Sequence, residues 1–226
     1  MEELIISAKC RICETVLLKK EINAHLKKHL TELQKKAQGT TTPTFHLLVS
    51  GGEDYFLHLL VPTALTFDEL DAYLRHIWLE CCGHMSMFST PKLNDEIDMK
   101  EELETVLEPK SVLNYIYDFG SSTELEIKTI AKYNLVLKDS KKYDITLLAR
   151  NEAYHFICGV CGKPAKYVCG ECAYEKESPF YCKACNRNEK KHECGEECSL
   201  PICNSPRMGV CGYAGNKDTF KKVSLA

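Results

Sequence analysis

The apolar positions of this chain change period several times, and each change marks a new element. Ile22, Leu26, Leu30 and Leu33 recur every three or four residues, the stripe of an amphipathic helix. Then the pattern shortens. The apolar runs Thr44 to Val49 and Tyr55 to Val61 flank Ser50-Gly51-Gly52-Glu53-Asp54, which predicts a β-hairpin. Helical spacing returns at Leu70, Leu74, Ile77 and Trp78, behind a Thr66/Glu69 pair that forms a capping box. A second helix is predicted over Asp98 to Leu107, stopped by Pro109. Strands are predicted over Val112 to Phe119 and Thr123 to Ile130, joined at Gly120-Ser121-Ser122, with a last strand over Tyr143 to Leu148. Elements grouped this way predict an α+β fold, a central mixed sheet with helices on one face.

The polar stretch Gln38 to Pro43 reads as a linker, and cysteine density rises sharply after Arg150. Three modules follow: residues 1–38, residues 44–150 and residues 151–226. The 226 residues are 44% hydrophobic and 27% charged, an ordinary globular balance. No apolar run approaches the roughly 20 residues of a membrane-spanning helix. The opening Met1-Glu2-Glu3-Leu4 has no basic-then-apolar leader pattern, so a cytoplasmic chain without membrane contact is expected. In a reducing compartment, the 14 cysteines read as metal ligands rather than as a disulfide framework. The net charge of −3 is uneven: residues 1–40 carry +3, residues 41–150 carry −8 and residues 151–226 carry +2. Any polyanionic ligand is therefore expected at the ends.

Cys10 and Cys13 are followed by His25 and His29. A two-residue knuckle supplies two thiolates, and histidines one helical turn apart place both imidazoles on one helix face, which makes four ligands for a tetrahedral zinc. The spacing resembles the two-cysteine, two-histidine zinc finger, with Leu17 and Ile22 where that family keeps its small core. Beyond His29 the apolar stripe continues, so the helix is expected to pack on another domain or on a second copy of the chain. Lysine doublets make the helix basic. Lys19, Lys20, Lys27 and Lys28 are the candidate nucleic-acid contacts, with a solvated lysine face as the alternative.

The tail carries Cys158/Cys161, Cys169/Cys172 and Cys182/Cys185, then His192 and Cys194. Eight ligands are the number that two closed structural zinc sites require. Their interleaving resembles cross-brace modules of the MYND type. That resemblance implies one metal held by Cys158, Cys161, Cys182 and Cys185, and another held by Cys169, Cys172, His192 and Cys194. Sequential pairing as a zinc ribbon is the alternative. Cys198 and Cys211 compete with Cys194 for the last position, while Cys203 reads as a small apolar residue. Closed shells leave no room for an activated water, so these zincs, about three per chain, are expected to be structural.

The run from Thr66 to Phe88, which contains His76-Ile77-Trp78-Leu79-Glu80-Cys81-Cys82-Gly83-His84, and the run Tyr117 to Leu125 resemble the plasmid pRiA4b ORF-3-like domain over about residues 44–150. The segment Asn204 to Tyr213 resembles the end of members with a cysteine-rich extension. The resemblance implies an α+β fold and a mobile-element setting. The commoner motif has Asp, Trp and His where Ser121, Thr123 and Leu125 stand here. Cys81-Cys82 reads as the apolar end of a helix. The sequence thus points to a zinc-binding, non-enzymatic adaptor that recognises nucleic acid or a protein partner, with a homo-oligomer formed through the N-terminal helix. The alternative is an enzyme acting on nucleic acid through Asp118, Glu124 and Glu126, with His84 nearby.

Overall fold

The computed structural model describes residues 6–91, 95–137 and 144–216. The chain divides into two units, one made of Met1–Arg75 and Met85–Glu152, the other of His76–His84 and Ala153–Lys217. This differs from the three modules expected.

The first unit contains β1 (Ser7–Cys10), β2 (Val16–Leu18), α1 (Lys19–Lys36), β3 (Thr42–Gly51), β4 (Tyr55–Pro62), α2 (Phe67–Leu74), β5 (Ser86–Ser89), α3 (Leu103–Val106), β6 (Val112–Tyr117), β7 (Thr123–Leu135) and β8 (Thr146–Asn151). Its eight strands form one sheet in the order β2-β1-β8-β4-β3-β7-β6-β5. Every pairing between them is antiparallel, so the sheet is not mixed. The connections explain this. β3 and β4 are joined by a tight turn with Gly51 opposite Tyr55, and β6 and β7 by one that sets Tyr117 opposite Thr123, so neighbouring strands must reverse direction.

Nor is the N-terminal module free-standing. β1 pairs with β8, Cys10 lying opposite Ala149, and extends the central sheet. The stripe Ile22, Leu26 and Leu30 is wholly buried against Ala8, Phe56, Leu60, Tyr133, Leu135 and Leu148 of the same unit, with Leu33 partly buried beside it. The apolar face expected to meet a second copy is therefore covered within the chain. A homo-oligomer built on that face has lost its motive.

The capping box forms as predicted: the Glu69 N–H donates to Thr66 Oγ1 at 3.3 Å and the Thr66 N–H donates to the Glu69 carboxylate at 2.8 Å. The predicted helix over Asp98–Leu107 shrinks to the single turn α3. Its backbone is drawn elsewhere: Phe67 N–H donates to Glu101 O, Asp68 N–H to Met99 O, and Leu103 N–H to Leu65 O. Those bonds compete with the helical ladder. β7 runs to Leu135, five residues past its predicted end, because β3 begins at Thr42 and pairs with it there, taking Thr42 and Pro43 out of the expected linker. The last strand is Thr146–Asn151, and Tyr143, its expected start, lies outside the described residues.

The second unit holds a π-type turn ending at Leu79, then β9 (Tyr167–Cys169), α4 (Cys172–Glu175), β10 (Phe180–Tyr181), α5 (Lys183–Asn186) and β11 (Ser199–Pro201). Its sheet is three short antiparallel strands in the order β10-β9-β11. The buried cluster of the tail consists of Cys158, Cys169, Cys172, Cys182, Cys185 and one aromatic residue, Tyr181.

Candidate metal centres

Among the described residues, four groups of Cys and His side chains bring four ligand atoms each to within 4.8 Å of one another. Sequence reasoning expected three. A tetrahedral zinc with bonds of about 2.3 Å to sulfur sets its sulfurs about 3.8 Å apart, which is the scale of these groups.

The first group joins Cys10, Cys13, His25 and His29, as the spacing predicted. Cys10 ends β1 and its N–H donates to Thr15 O at 2.9 Å, folding residues 10–15 into a tight knuckle with Glu14 in the left-handed region at φ 65°. His25 and His29 stand one turn apart on α1. Their Nε2 atoms are 3.1 Å apart, and Cys13 Sγ is 3.1 Å from His25 Nε2. Burial opposes ionisation of Cys13, but hydrogen bonds with Thr15, His29 and His25 outweigh it and bring the thiol down to about 6. Cys13 is thus held close to its ligand form.

Cys158, Cys161, Cys182 and Cys185 form the second group, with Cys161 and Cys182 sulfurs 3.7 Å apart. Burial raises Cys158, yet backbone hydrogen bonds at Cys182, Val160 and Cys161 lower it to about 6. Cys185 is pushed up to about 12 by burial and by the thiols of Cys161, Cys182 and Cys158. Packed thiols cannot all ionise alone, and a divalent cation between them removes the conflict.

The third group is Cys169, Cys172, His192 and Cys194. The interleaved pairing is therefore the one present, and the sequential ribbon is not. Cys194 fills the contested position: its sulfur is 3.5 Å from that of Cys172. Cys198 packs beside the cluster without joining a ligand group. Tyr181 stacks on His192 with ring centroids 4.2 Å apart, and its hydroxyl donates to Cys172 Sγ at 3.3 Å. His192 Nδ1 lies 3.3 Å from Asn186 O, and because a carbonyl only accepts, the ring proton sits on Nδ1. That leaves a lone pair on Nε2, which is buried with no hydrogen-bond partner among the described residues. An orphaned acceptor beside three thiols suits a metal bond, and the Nδ1 contact is the usual way such a ring is oriented.

The fourth group was missed. Cys81, Cys82, His84 and Cys211 converge within the second unit. Cys82 Sγ is 2.9 Å from His84 Nε2 and 3.8 Å from Cys211 Sγ, while His84 Nε2 is 3.2 Å from Cys211 Sγ. Cys211 therefore does not complete the tail's second site. Cys81-Cys82 is more than the apolar end of a helix, since Cys82 is exposed. A signal was present in the sequence: three ligand-type side chains within four residues, and three tail cysteines, Cys198, Cys203 and Cys211, left over from the eight-ligand count.

Two of the acidic residues considered for catalysis, Asp118 and Glu126, have partners of their own. Asp118, at φ 66°, accepts from the Gly120 and Ser121 N–H groups and so shapes its own turn. Glu124 and Glu126 lie at alternate positions facing solvent, Glu126 paired with Lys128 at 2.6 Å. Asp71 is buried in a network, accepting from Tyr115 and Ser86 at 2.7 Å each and from Arg75 at 2.6 Å. All four candidate lysines, Lys19, Lys20, Lys27 and Lys28, are exposed, and Lys19 also donates to Glu53 O and sits over the Phe56 ring. No helix among the described residues is long and apolar enough to cross a membrane.

No family model matches the chain, and no curated protein does. A solved structure, the protein of unknown function MM3350 from Methanosarcina mazei Go1, aligns with a TM-score of 0.39 at 18% identity, covering 47% of this chain and 69% of that one. At that score the likeness carries no argument.

Proposed function

We propose that this chain is a non-enzymatic adaptor whose folded tail depends on zinc and whose basic helix face meets an acidic macromolecular surface. The orphaned, fully buried His192 Nε2 among three thiols carries the zinc half of this reading. Thiolate and imidazole donors in sets of four suit Zn²⁺, and a four-ligand protein shell leaves no open position for a reacting water. The engagement of Asp71 and Asp118 in structural hydrogen bonds supports a non-catalytic middle region.

The partner half rests on α1. Its exposed side presents Lys20, Lys27, Lys28, Lys35 and Lys36 against Glu21 and Glu32. Nucleic acid is the polyanion to test first, and the resemblance of residues 44–150 to the plasmid pRiA4b ORF-3-like domain supports a mobile-element setting. A single finger-like module reads only about three base pairs, so affinity should be modest and mostly electrostatic. Fluorescence anisotropy of labelled DNA and RNA with the zinc-loaded full chain should show binding that weakens steeply with salt. A Lys20→Glu, Lys27→Glu, Lys28→Glu variant should lose it. Absence of binding at low salt would move the adaptor reading to an acidic protein partner, and nucleic-acid turnover by the chain would overturn it.

A further inference from the structure

Cys81, Cys82, His84 and Cys211 cannot have been brought together by the hydrophobic effect, because Cys82 and Cys211 are exposed. Two segments more than a hundred residues apart in sequence meet here, and both bend to do so. Gly83 takes φ +79° between Cys82 and His84, and its N–H donates to the Glu80 carboxylate. On the other side Cys211 itself is left-handed at φ 46°, followed by Gly212 at φ 71°. The left-handed region is costly for a cysteine, so the surroundings must hold it there. The result directs three sulfurs and one ring nitrogen at a common centre.

A buried cation stands behind them. Arg207 is 0% exposed, and its guanidinium reaches Cys81 Sγ at 3.6 Å. Zn²⁺ with three thiolates and a neutral imidazole carries one net negative charge, and a guanidinium within 3.6 Å of a ligand sulfur stands where it helps to balance that charge. The turn that carries Arg207 is also tied down: Ser205 Oγ donates to the Trp78 carbonyl at 2.7 Å and accepts from the Arg207 N–H at 2.9 Å.

We propose that Cys81, Cys82, His84 and Cys211 are a fourth zinc site, which clips the segment Ser205–Cys211 onto the segment His76–His84, with Arg207 as the positioning residue that neutralises its charge. The site extends the zinc reading above but not its claim about a partner. Three thiolates and an imidazole exclude hard cations such as Mg²⁺ and Ca²⁺. With four sites filled, twelve thiolates and four divalent ions take the formal net charge from −3 to −7, and only Cys198 and Cys203 stay outside the ligand sets.

Native mass spectrometry of the zinc-loaded full chain should count four zincs. Cys211→Ser and His84→Ala should each count three, while Cys203→Ser keeps four. Arg207→Met should weaken the fourth zinc about 10- to 100-fold in a chelator competition, as loss of a supporting contact to a ligand does, with partial recovery in Arg207→Lys. In Cys211→Ser, amide exchange should rise over residues 205–213 and stay unchanged in β9 and β10, which shows that the rest of the tail still folds. Three zincs in the wild-type chain, or four in both ligand variants, would overturn the fourth site while leaving the other three. Fewer than three would overturn the zinc reading itself. A wild-type mass lighter by two hydrogens with three zincs would mean a disulfide in its place. Unchanged zinc affinity in Arg207→Met would remove the arginine from the site.

Discussion

The two units solve the problem of cohesion in opposite ways. In the first, Leu47, Val49, Phe56, Leu57, Leu59, Phe67, Phe88 and Tyr115 are buried in and around an eight-stranded sheet, and the Cys10/Cys13/His25/His29 group is an attachment at one end of it. In the second, the tail's strands are two or three residues long, and the side chains that fill its interior are largely the sulfurs of the candidate metal groups. Strands that short cannot bury enough apolar area to offset the entropy of ordering their backbone. The same donor chemistry is therefore an accessory in one unit and the core of the other.

Chelation should expose this difference most strongly. A structural zinc contributes on the order of 10 kcal/mol in small finger peptides, more than the net stability of many small domains. With excess chelator, amides of β9, β10 and β11 should lose their protection from exchange. Those of β3, β4 and β7 should keep theirs. Retained protection in the tail after complete metal removal would break the contrast, and so would collapse of the long strands.

How much of this was legible beforehand follows the same division. Spacing alone singled out twelve of the side chains that converge in the four groups, because residue types suited to one metal recur at short, fixed intervals, and the MYND-like resemblance added the pairing. Strands β3, β4, β6 and β7 were legible from short apolar runs between turn residues. Non-local matters were not. Nothing near Cys10 announces that β1 will pair with β8, about 140 residues away, and nothing near Cys211 announces Cys81. The helix expected over Asp98–Leu107 failed for a related reason, since its backbone bonds to the segment Leu65–Asp68. The buried pair His46 and His58, with Nε2 and Nδ1 2.9 Å apart, was likewise invisible, because each histidine sits alone in its own apolar run.

Within the first unit, an apolar truncation should do more harm than a lost ligand. Leu26 is 0% exposed in the layer between α1 and the sheet. Leu26→Ala removes that contact and leaves a cavity, at a cost of about 2–5 kcal/mol. Cys13→Ser removes one ligand of the first group but leaves the stripe Ile22, Leu26 and Leu30 seated. The expected result is a lowered denaturation midpoint for the β3, β4 and β7 amides in Leu26→Ala. In Cys13→Ser the loss of protection should be confined to residues 10–15. If the cysteine variant unfolds the long strands as readily as the leucine variant does, the first unit leans on its metal after all.

The narrowest effect, a pH dependence that shows only below neutral pH, comes from the histidine pair inside the first unit. Burial lowers His46 to about 4, and burial together with the neighbouring His46 lowers His58 to about 3, both from an ordinary value of 6.5. The unfolded chain accepts protons that the folded sheet refuses, so the contribution is full above pH 6.5 and drains away as the pH falls through the window toward 4 and then 3. Acid also protonates zinc ligands, which would obscure the slope in the wild-type chain alone. A His46→Leu, His58→Leu variant separates the two, since it keeps every ligand and lacks the pair. Its denaturation midpoint should fall less between pH 6.5 and pH 5 than that of the wild type at equal zinc. Equal slopes would mean that acid reaches the sheet through its metal site, and the independence of the first unit's core from its zinc would be lost with them.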